Sequence, residues 1–330
     1  MFVLNSIFTI GNYRFRGCNN VKIKKSILEY IDTAVISLPT QSVIKQKDNT
    51  YSSTKLTAHQ FKQGDKVMIN LGYNGKLEQE FIGFVSRVNI ATPCTIECEG
   101  YSYQLRTMVT VDKSWKKVQL KDALAEIIKG TDIVLSEKIP EVELQNLKFD
   151  KVSGDKAIEY LKGLFSGAMT VFFVNNVLYF GLTYLDVTQK SIKHRIGWNV
   201  VSADNLKLRK ADDVKVQVQF EFKKSTGEAV TISAGTPGGV VKKQTISIVS
   251  DTKKLKEIAE AALKKEAYDG YEGSYTGFLI PFVQNGYRAS LYDKKYPERQ
   301  GNYFVESVET TYGQSGGRRD VQIGVKLSDI

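Results

Sequence analysis

Residues 61–103 read FKQGDKVMINLGYNGKLEQEFIGFVSRVNIATPCTIECEGYSY, and their reading decides the fold. The stretch opens on a Gly64-Asp65 turn, after which Val67, Ile69 and Leu71 alternate with Lys66, Met68 and Asn70. Alternation at period two sends one set of side chains to each face of a strand. Tyr73-Asn74-Gly75-Lys76 follows, and Asn-Gly signals a tight type I′ hairpin because both residues tolerate positive φ. The return run from Glu80 to Val88 contains Gly83, which fits a bend or bulge at a barrel corner. A last run alternates Cys94, Ile96 and Cys98 with Thr95, Glu97 and Glu99. Three antiparallel strands with one wet face predict a small barrel or sandwich rather than a parallel sheet.

Upstream, residues 1–60 read as strands and loops, with one run closed by Pro39, since proline breaks a central ladder. Gln41 to Thr57 is polar and reads as a long loop. Downstream of Arg106 the pattern changes. Val118, Leu120, Ala123, Leu124, Ile127 and Ile128 recur at helical spacing, with Gly130 as a stop signal. A second helix is predicted from an N-cap at Ser153, with Ile158, Leu161, Leu164 and Phe165 on its apolar face and Gly167 ending it. Met169–Val174 and Val177–Phe180 then flank Asn175-Asn176 as another hairpin. Helices with a hairpin predict a compact α+β unit over 108–195.

Strands return after residue 195. Val214, Val216, Val218, Phe220 and Phe222 alternate with Lys215, Gln217, Gln219 and Glu221 without a break. Residues 235–239 are glycine-rich and read as a loop. Residues 251–268 predict an amphipathic helix with Leu255, Ile258, Ala259, Ala262 and Leu263 on one face. Glycine-rich strand segments follow from Gly270 to Val283. The chain closes on a strand from Tyr303 to Thr311, a tight turn over 313–317, and a last strand carrying Val321, Ile323, Val325 and Leu327.

A length of 330 residues predicts two or more domains, each able to bury a core. No apolar run approaches the roughly 20 residues that span a bilayer, and the N-terminal residues lack the pattern of a signal peptide. The expectation is a protein that stays in the cytoplasm where it is made, without membrane insertion. The formal net charge of +10 raises nucleic acid or an anionic surface as partners. Lys and Arg are interspersed with Asp and Glu, however, so a solvated charged surface is the simpler reading.

The sequence holds no recognisable reaction centre. Cys94 and Cys98 share one strand face about 13 Å apart, beyond the roughly 7 Å between Cα atoms that a disulfide allows. A zinc site from these two cysteines and one histidine lacks the turn that a zinc knuckle places between paired ligands. His59 and His194 are the two histidines, and neither stands at a metal-ligand spacing. The glycine-rich stretches match no phosphate-binding order. No catalytic, cofactor-binding or metal-binding residue is therefore expected, nor any cofactor or enzymatic activity.

The pattern "GDKV.I.LGY.G….FIGFVSRV……IECE" resembles the first barrel of phage baseplate hub proteins, a family related to the hub part of type VI secretion spike proteins. The C-terminal run through Gly301, Tyr303, Val305 and Val308 resembles the strand before that family's final hairpin. The resemblance covers most of the chain. It implies a mainly β fold with two antiparallel β-barrels, an interposed α+β domain and a helix-containing insertion in the second barrel. The implied domains are 1–107, 108–195, a split second barrel over 196–250 and 300–330, and the insertion at 251–299, with the alternative that some strands of that insertion belong to the barrel. It further implies a homotrimeric hub in the virion, assembled in the bacterial host cytoplasm, that joins the tail tube to the central spike. Its partners would be the tube or tube-initiator protein, the spike, the tape-measure protein and baseplate wedges, with no sequence-specific nucleic acid. Two alternatives stand beside it: a nucleic-acid-binding barrel, favoured by basic charge and aromatics, and, through the resemblance to tail proteins, a tail-associated cell-wall hydrolase, of which the sequence carries no lytic signature.

Overall fold

The computed structural model describes residues 3–45, 49–165, 169–182, 190–210, 216–223, 229–235, 240–245, 260 and 268–329. In its N-terminal β unit the alternating runs form β1 (Leu4–Ile10), β2 (Tyr13–Phe15), β3 (Asn20–Ser26), β4 (Thr33–Leu38), β5 (Gln41–Ser42), β6 (Lys55–Leu56), β7 (Lys66–Tyr73), β8 (Lys76–Asn89) and β9 (Cys94–Glu99). Seven of them pair in the order β3-β4-β9-β8-β7-β1-β2. Their inward faces bury Phe8, Ile10, Val21, Ile23, Ile36, Val67, Ile69, Leu71 and Ile96 in one core.

The β7–β8 turn is as expected: Asn74 and Gly75 have φ of 52° and 82°. Gly83 plays a different part from the one predicted. The extra residue that disturbs the β7–β8 ladder is Glu80, because Ile69 faces Phe81 while Asn70 faces Gln79. Gly83 instead lets β9 come close, since a Cβ there would meet the Glu99 carbonyl oxygen at 2.2 Å. The stretch expected to be a plain loop has a short ladder, with β5 paired to β6 and a bridge between Lys45 and Tyr51.

The middle of the chain forms α1 (Ser102–Thr107), β10 (Thr110–Gln119), α2 (Leu120–Ile127), β11 (Val134–Leu135), β12 (Glu143–Ser153), α3 (Gly154–Gly163), β13 (Met169–Val174) and β14 (Val177–Leu182). Leu120, Ala123, Leu124 and Ile127 face inward from α2, while Val118 belongs to β10 instead. Gly130, at φ 82°, follows α2 as its stop signal requires. Ser153 occupies the N-cap of α3 but makes no side-chain cap bond. The predicted stop at Gly167 lies outside the described residues. These elements share a core with Tyr30, Phe84 and Tyr101 of the N-terminal unit.

The remaining strands are β15 (Ser191–Arg195), β16 (Val200–Ser202), β17 (Lys207–Arg209), β18 (Val216–Lys223), β19 (Ala229–Gly235), β20 (Val240–Thr245), β21 (Gly270–Gly277), β22 (Arg288–Tyr292), β23 (Gly301–Gly313) and β24 (Gly316–Ser328). The clean alternation of β18 makes a strand, but not a strand of the second barrel. It pairs with β19 and, in parallel, with β20 in a separate three-stranded sheet. Conversely, β21 and β22, within the expected insertion, pair with β24 and β23. The amphipathic helix expected over 251–268 falls almost wholly outside the described residues. The C-terminal β unit is mainly antiparallel, except that β15 runs parallel to β22. Its core is rich in tyrosine: Tyr271, Tyr275, Tyr287 and Tyr303 pack with Val305, Val321 and Ile323. The chain is thus mainly β with an α+β middle, and one 14-stranded sheet runs through both β units.

Candidate functional site: the seam between the two β units

Strand β23 carries the joint. One edge pairs with β24 along nearly its whole length. The other edge pairs with β22 from Gly301 to Phe304 and then with β3 from Ser307 to Gly313. Three register shifts lie between Asn302 and Ser307, where the strand passes from one unit to the other. Extra residues of this kind bend a strand and increase its twist, which lets one strand serve two cores. The two β units are therefore fused through backbone hydrogen bonds, not merely packed.

Charged side chains are buried along this joint. Lys25 continues the inward series Val21 and Ile23 on β3, where the pattern calls for an apolar residue. Glu80, the extra residue in β8, is turned inward beside Phe81. Arg319 on β24 is 1% exposed and donates through Nη2 to Glu80 Oε1. Its Nη1 donates to the carbonyls of Leu279 at 2.7 Å and Pro281 at 3.0 Å. The guanidinium also lies 5.1 Å from the centre of the Phe282 ring. Thr310 Oγ1 donates to Glu80 Oε2 at 3.4 Å. Lys25 Nζ donates to Gln284 Oε1 at 3.2 Å, and Gln284 passes a bond on to the Tyr287 hydroxyl at 3.1 Å. Tyr73 crosses the same seam, its hydroxyl donating to the Gly317 carbonyl at 3.2 Å.

Burial dominates the titration of these groups. It pushes the Asp32 carboxyl up to about 7, against the opposing pull of the Lys25 charge and a bond from the Ser26 backbone. Burial raises Glu80 as well, opposed by Arg319 and Lys25, and lowers Lys25, opposed by Asp32 and Glu80. His194, its ring centre 4.9 Å from that of Tyr275 and tilted against it, is pushed down to about 4 by burial and is neutral near pH 7. Cys18, Cys94 and Cys98 are free thiols, and burial raises each of them. Cys94 and Cys98 lie on β9 in the N-terminal unit, whereas His194 lies on β15 in the C-terminal one. Among the described residues no group of three or more His, Cys, Asp or Glu stands where it could hold a metal ion.

Chemically, the seam is a buried polar network. Arg319 and Glu80 form its ion pair and Lys25 reaches Gln284, while Asp32 Oδ1 and Arg319 Nε have no hydrogen-bond partner. Its capability is mechanical: charged hydrogen bonds are directional, so they hold two bodies in one relative orientation. Sequence patterning missed all four charged members. The legible trace was Lys25, a charge standing in phase with Val21 and Ile23; Glu80 and Arg319 offered none, being 239 residues apart.

No family model matches the sequence. Neither does any curated protein. Solved structures do match. A tail protein from Neisseria meningitidis superimposes with a TM-score of 0.67 at 11% identity, over 97% of this chain and 96% of that one. A 43 kDa tail protein of prophage MuSo2 from Shewanella oneidensis gives 0.61 at 12% identity, over 97% of both chains. An E. coli component of the type VI secretion system, itself described as similar to bacteriophage tail proteins, gives 0.60 at 7% identity over 97% of this chain and 77% of that one. At such identities the likeness is one of architecture. The chain has the fold shared by these tail proteins and that secretion-system component.

Proposed function

We propose that the chain is a non-enzymatic structural subunit of a phage tail baseplate or a related contractile injection machine, and within it the hub. Three copies form a ring in the virion that joins the tail tube to the central spike, assembled in the host cytoplasm beside tape-measure and wedge proteins. In this reading the two β units are the two barrels of the hub, residues 108–195 the intervening domain, and β18, β19 and β20 a separate sheet. The observation that supports it is the end-to-end likeness to tail proteins, which leaves no large part of the chain unmatched. The seam fits the role. A ring subunit with two similar barrels presents a sixfold-like surface only if the barrels keep a fixed relative orientation, and closed rings leave no free interface.

The test is light scattering on the purified chain, alone and with its cognate spike, followed by particle averaging of the complex. A threefold ring with an open channel is the expected result. A complex with one copy of the chain, or a ring of fourfold or fivefold symmetry, overturns the hub reading. Cleavage of peptidoglycan by the purified chain would return the hydrolase alternative.

A further inference from the structure

The C-terminal ends of β15 and β22 run side by side, with Arg195 opposite Tyr292. The loops that leave them enclose a cleft of about 710 Å³. Trp198, on the turn after β15, is 80% exposed at its mouth, and Tyr296, on the facing loop, is 50% exposed. Large aromatic side chains left in water at a concave site are the residue types that dominate binding energy at protein interfaces. The wall carries Arg195, Lys294, Lys295 and Arg299. Among the described residues, Arg195, Lys294 and Lys295 have no ion-pair partner, while Arg299 stands 3.5 Å from Asp293. The local excess of positive charge is therefore left for something outside the chain to neutralise.

We propose that this cleft docks an acidic polypeptide segment of a partner protein, with Trp198 as its apolar anchor. Two features favour a polypeptide over a nucleic acid. The first is Asp293, 4% exposed, among the lining residues. Its carboxylate accepts the backbone N–H groups of Lys295 and Tyr296 through Oδ1, while Oδ2 has no hydrogen-bond donor. A carboxylate at the back of the cleft repels a phosphodiester chain but accepts an amide N–H. The second is the neighbouring Arg299 Nε, also buried and without an acceptor. Asp293 Oδ2, which faces Arg299 Nη1 at 3.5 Å without a hydrogen bond, and Arg299 Nε together offer an acceptor and a donor to an amide, which both donates and accepts, once the half-buried Arg299 side chain shifts to admit it.

The segment binds through side chains, not as an added strand. Asn199 already covers the outer edge of β15: its Oδ1 accepts the Arg195 N–H at 2.6 Å, and its Nδ2 donates to the Lys193 carbonyl at 3.1 Å. The cleft takes an acidic segment whether or not the chain closes into a ring.

The chain's two tryptophans are Trp115 and Trp198, so Trp115→Phe leaves Trp198 as the only indole reporter. That variant is titrated with a blocked peptide of glutamates interspersed with leucines, a matched peptide with lysine for glutamate, and oligothymidylate of the same charge. The acidic peptide should give a saturable blue shift, and the lysine peptide none. Arg195→Glu and, separately, Lys295→Glu should weaken the acidic peptide at least about tenfold. Trp198→Ala, followed by calorimetry, should weaken it by a similar factor. These positions are exposed, and unchanged thermal melts verify that each variant stays folded. Several outcomes overturn the proposal: no saturation, affinity indifferent to these substitutions, tighter binding of oligothymidylate, or a Trp198 blue shift that grows with protein concentration alone. The last would mark a contact between copies of this chain.

Discussion

The C-terminal β unit meets its two neighbours in opposite ways. Against the N-terminal unit it buries charge: Arg319 against Glu80, with Lys25 and Asp32 close by. Where it meets the α+β middle it buries Phe304 and Val325 with Phe172, an apolar cluster that Ile27 of the N-terminal unit completes. Apolar burial is non-directional, so it holds surfaces together over a range of orientations. A buried ion pair adds little net stability, because desolvation consumes most of the attraction, but it tolerates one geometry. The difference teaches that the joint between the β units is built for orientation and the contact with the middle for cohesion.

The sharpest way to break this comparison is to remove one charge. Arg319→Met should destabilise the chain by about 3–5 kcal/mol, since Glu80 is left buried without its cation. Adding Glu80→Leu should recover most of that loss, apart from the bonds Arg319 gave to Leu279 and Pro281. The apolar contact offers no such rescue. Phe304→Ala, at a residue 1% exposed, should cost about 3 kcal/mol through lost transfer energy and the cavity left behind. Urea unfolding measures all three variants. If the Arg319→Met/Glu80→Leu double variant is no more stable than Arg319→Met alone, the seam is not a closed charge pair and the comparison fails.

Much of the fold was legible because period two is a local signal. Val67, Ile69 and Leu71 announced β7, and Asn74-Gly75 announced its turn. Alternation says which side chains share a face, however, and not which strand lies alongside. That is why β18 read correctly as a strand and wrongly as part of the second barrel. For β21 the sequence left the choice open between insertion and barrel. Its sequence GYEGSYTG hides inward-facing Tyr271 and Tyr275 among glycines, and only its pairing with β24 places it in the large sheet. The seam was least legible. Patterning places charges outward, and only a pairing across 239 residues makes Glu80 and Arg319 compatible with burial. The Trp198 cleft was equally hidden, because it is assembled from two loops brought together by the parallel β15–β22 pair.

A pH experiment sharpens the same contrast. Burial raises Asp32 to about 7, above its unfolded value of 3.8. The folded state therefore holds this proton after the unfolded chain has released it. Its contribution to stability is fully present below the unfolded value and is lost as pH rises towards 7. Glu80 shifts in the same direction. His194 has the opposite sign: lowered to about 4, it is neutral in the fold while the unfolded chain is protonated, so its contribution grows from about pH 4 to 6.5. Comparing wild type with Asp32→Asn cancels the histidine and Glu80. Between about pH 5 and 6.5 the wild type should lose roughly 2 kcal/mol relative to the variant, at ~1.4 kcal/mol per pH unit. A flat difference over that range would mean that the Asp32 carboxyl is not held in a dry seam.

The smallest expected effect comes from the β7–β8 turn, distant in role from both contacts. Gly75 has φ of 82° and open space where a Cβ would go, so the penalty for a side chain there is backbone strain alone. Gly75→Val should cost roughly 1–2 kcal/mol, because a β-branched residue resists positive φ. Asn74→Gly removes strain at φ 52°, yet it also deletes the amide oxygen that accepts the Val3 N–H at 2.9 Å. Its net cost should be no more than about 1 kcal/mol, the worth of one partly exposed hydrogen bond. Both substitutions act inside the N-terminal unit, so the pH-dependent difference between wild type and Asp32→Asn should persist unchanged in either background. Thermal melts across the pH series measure this. Energies of separated sites add, so a turn variant that alters the Asp32 profile would show that the N-terminal unit deforms at the seam instead of transmitting a fixed orientation through β3 and β23.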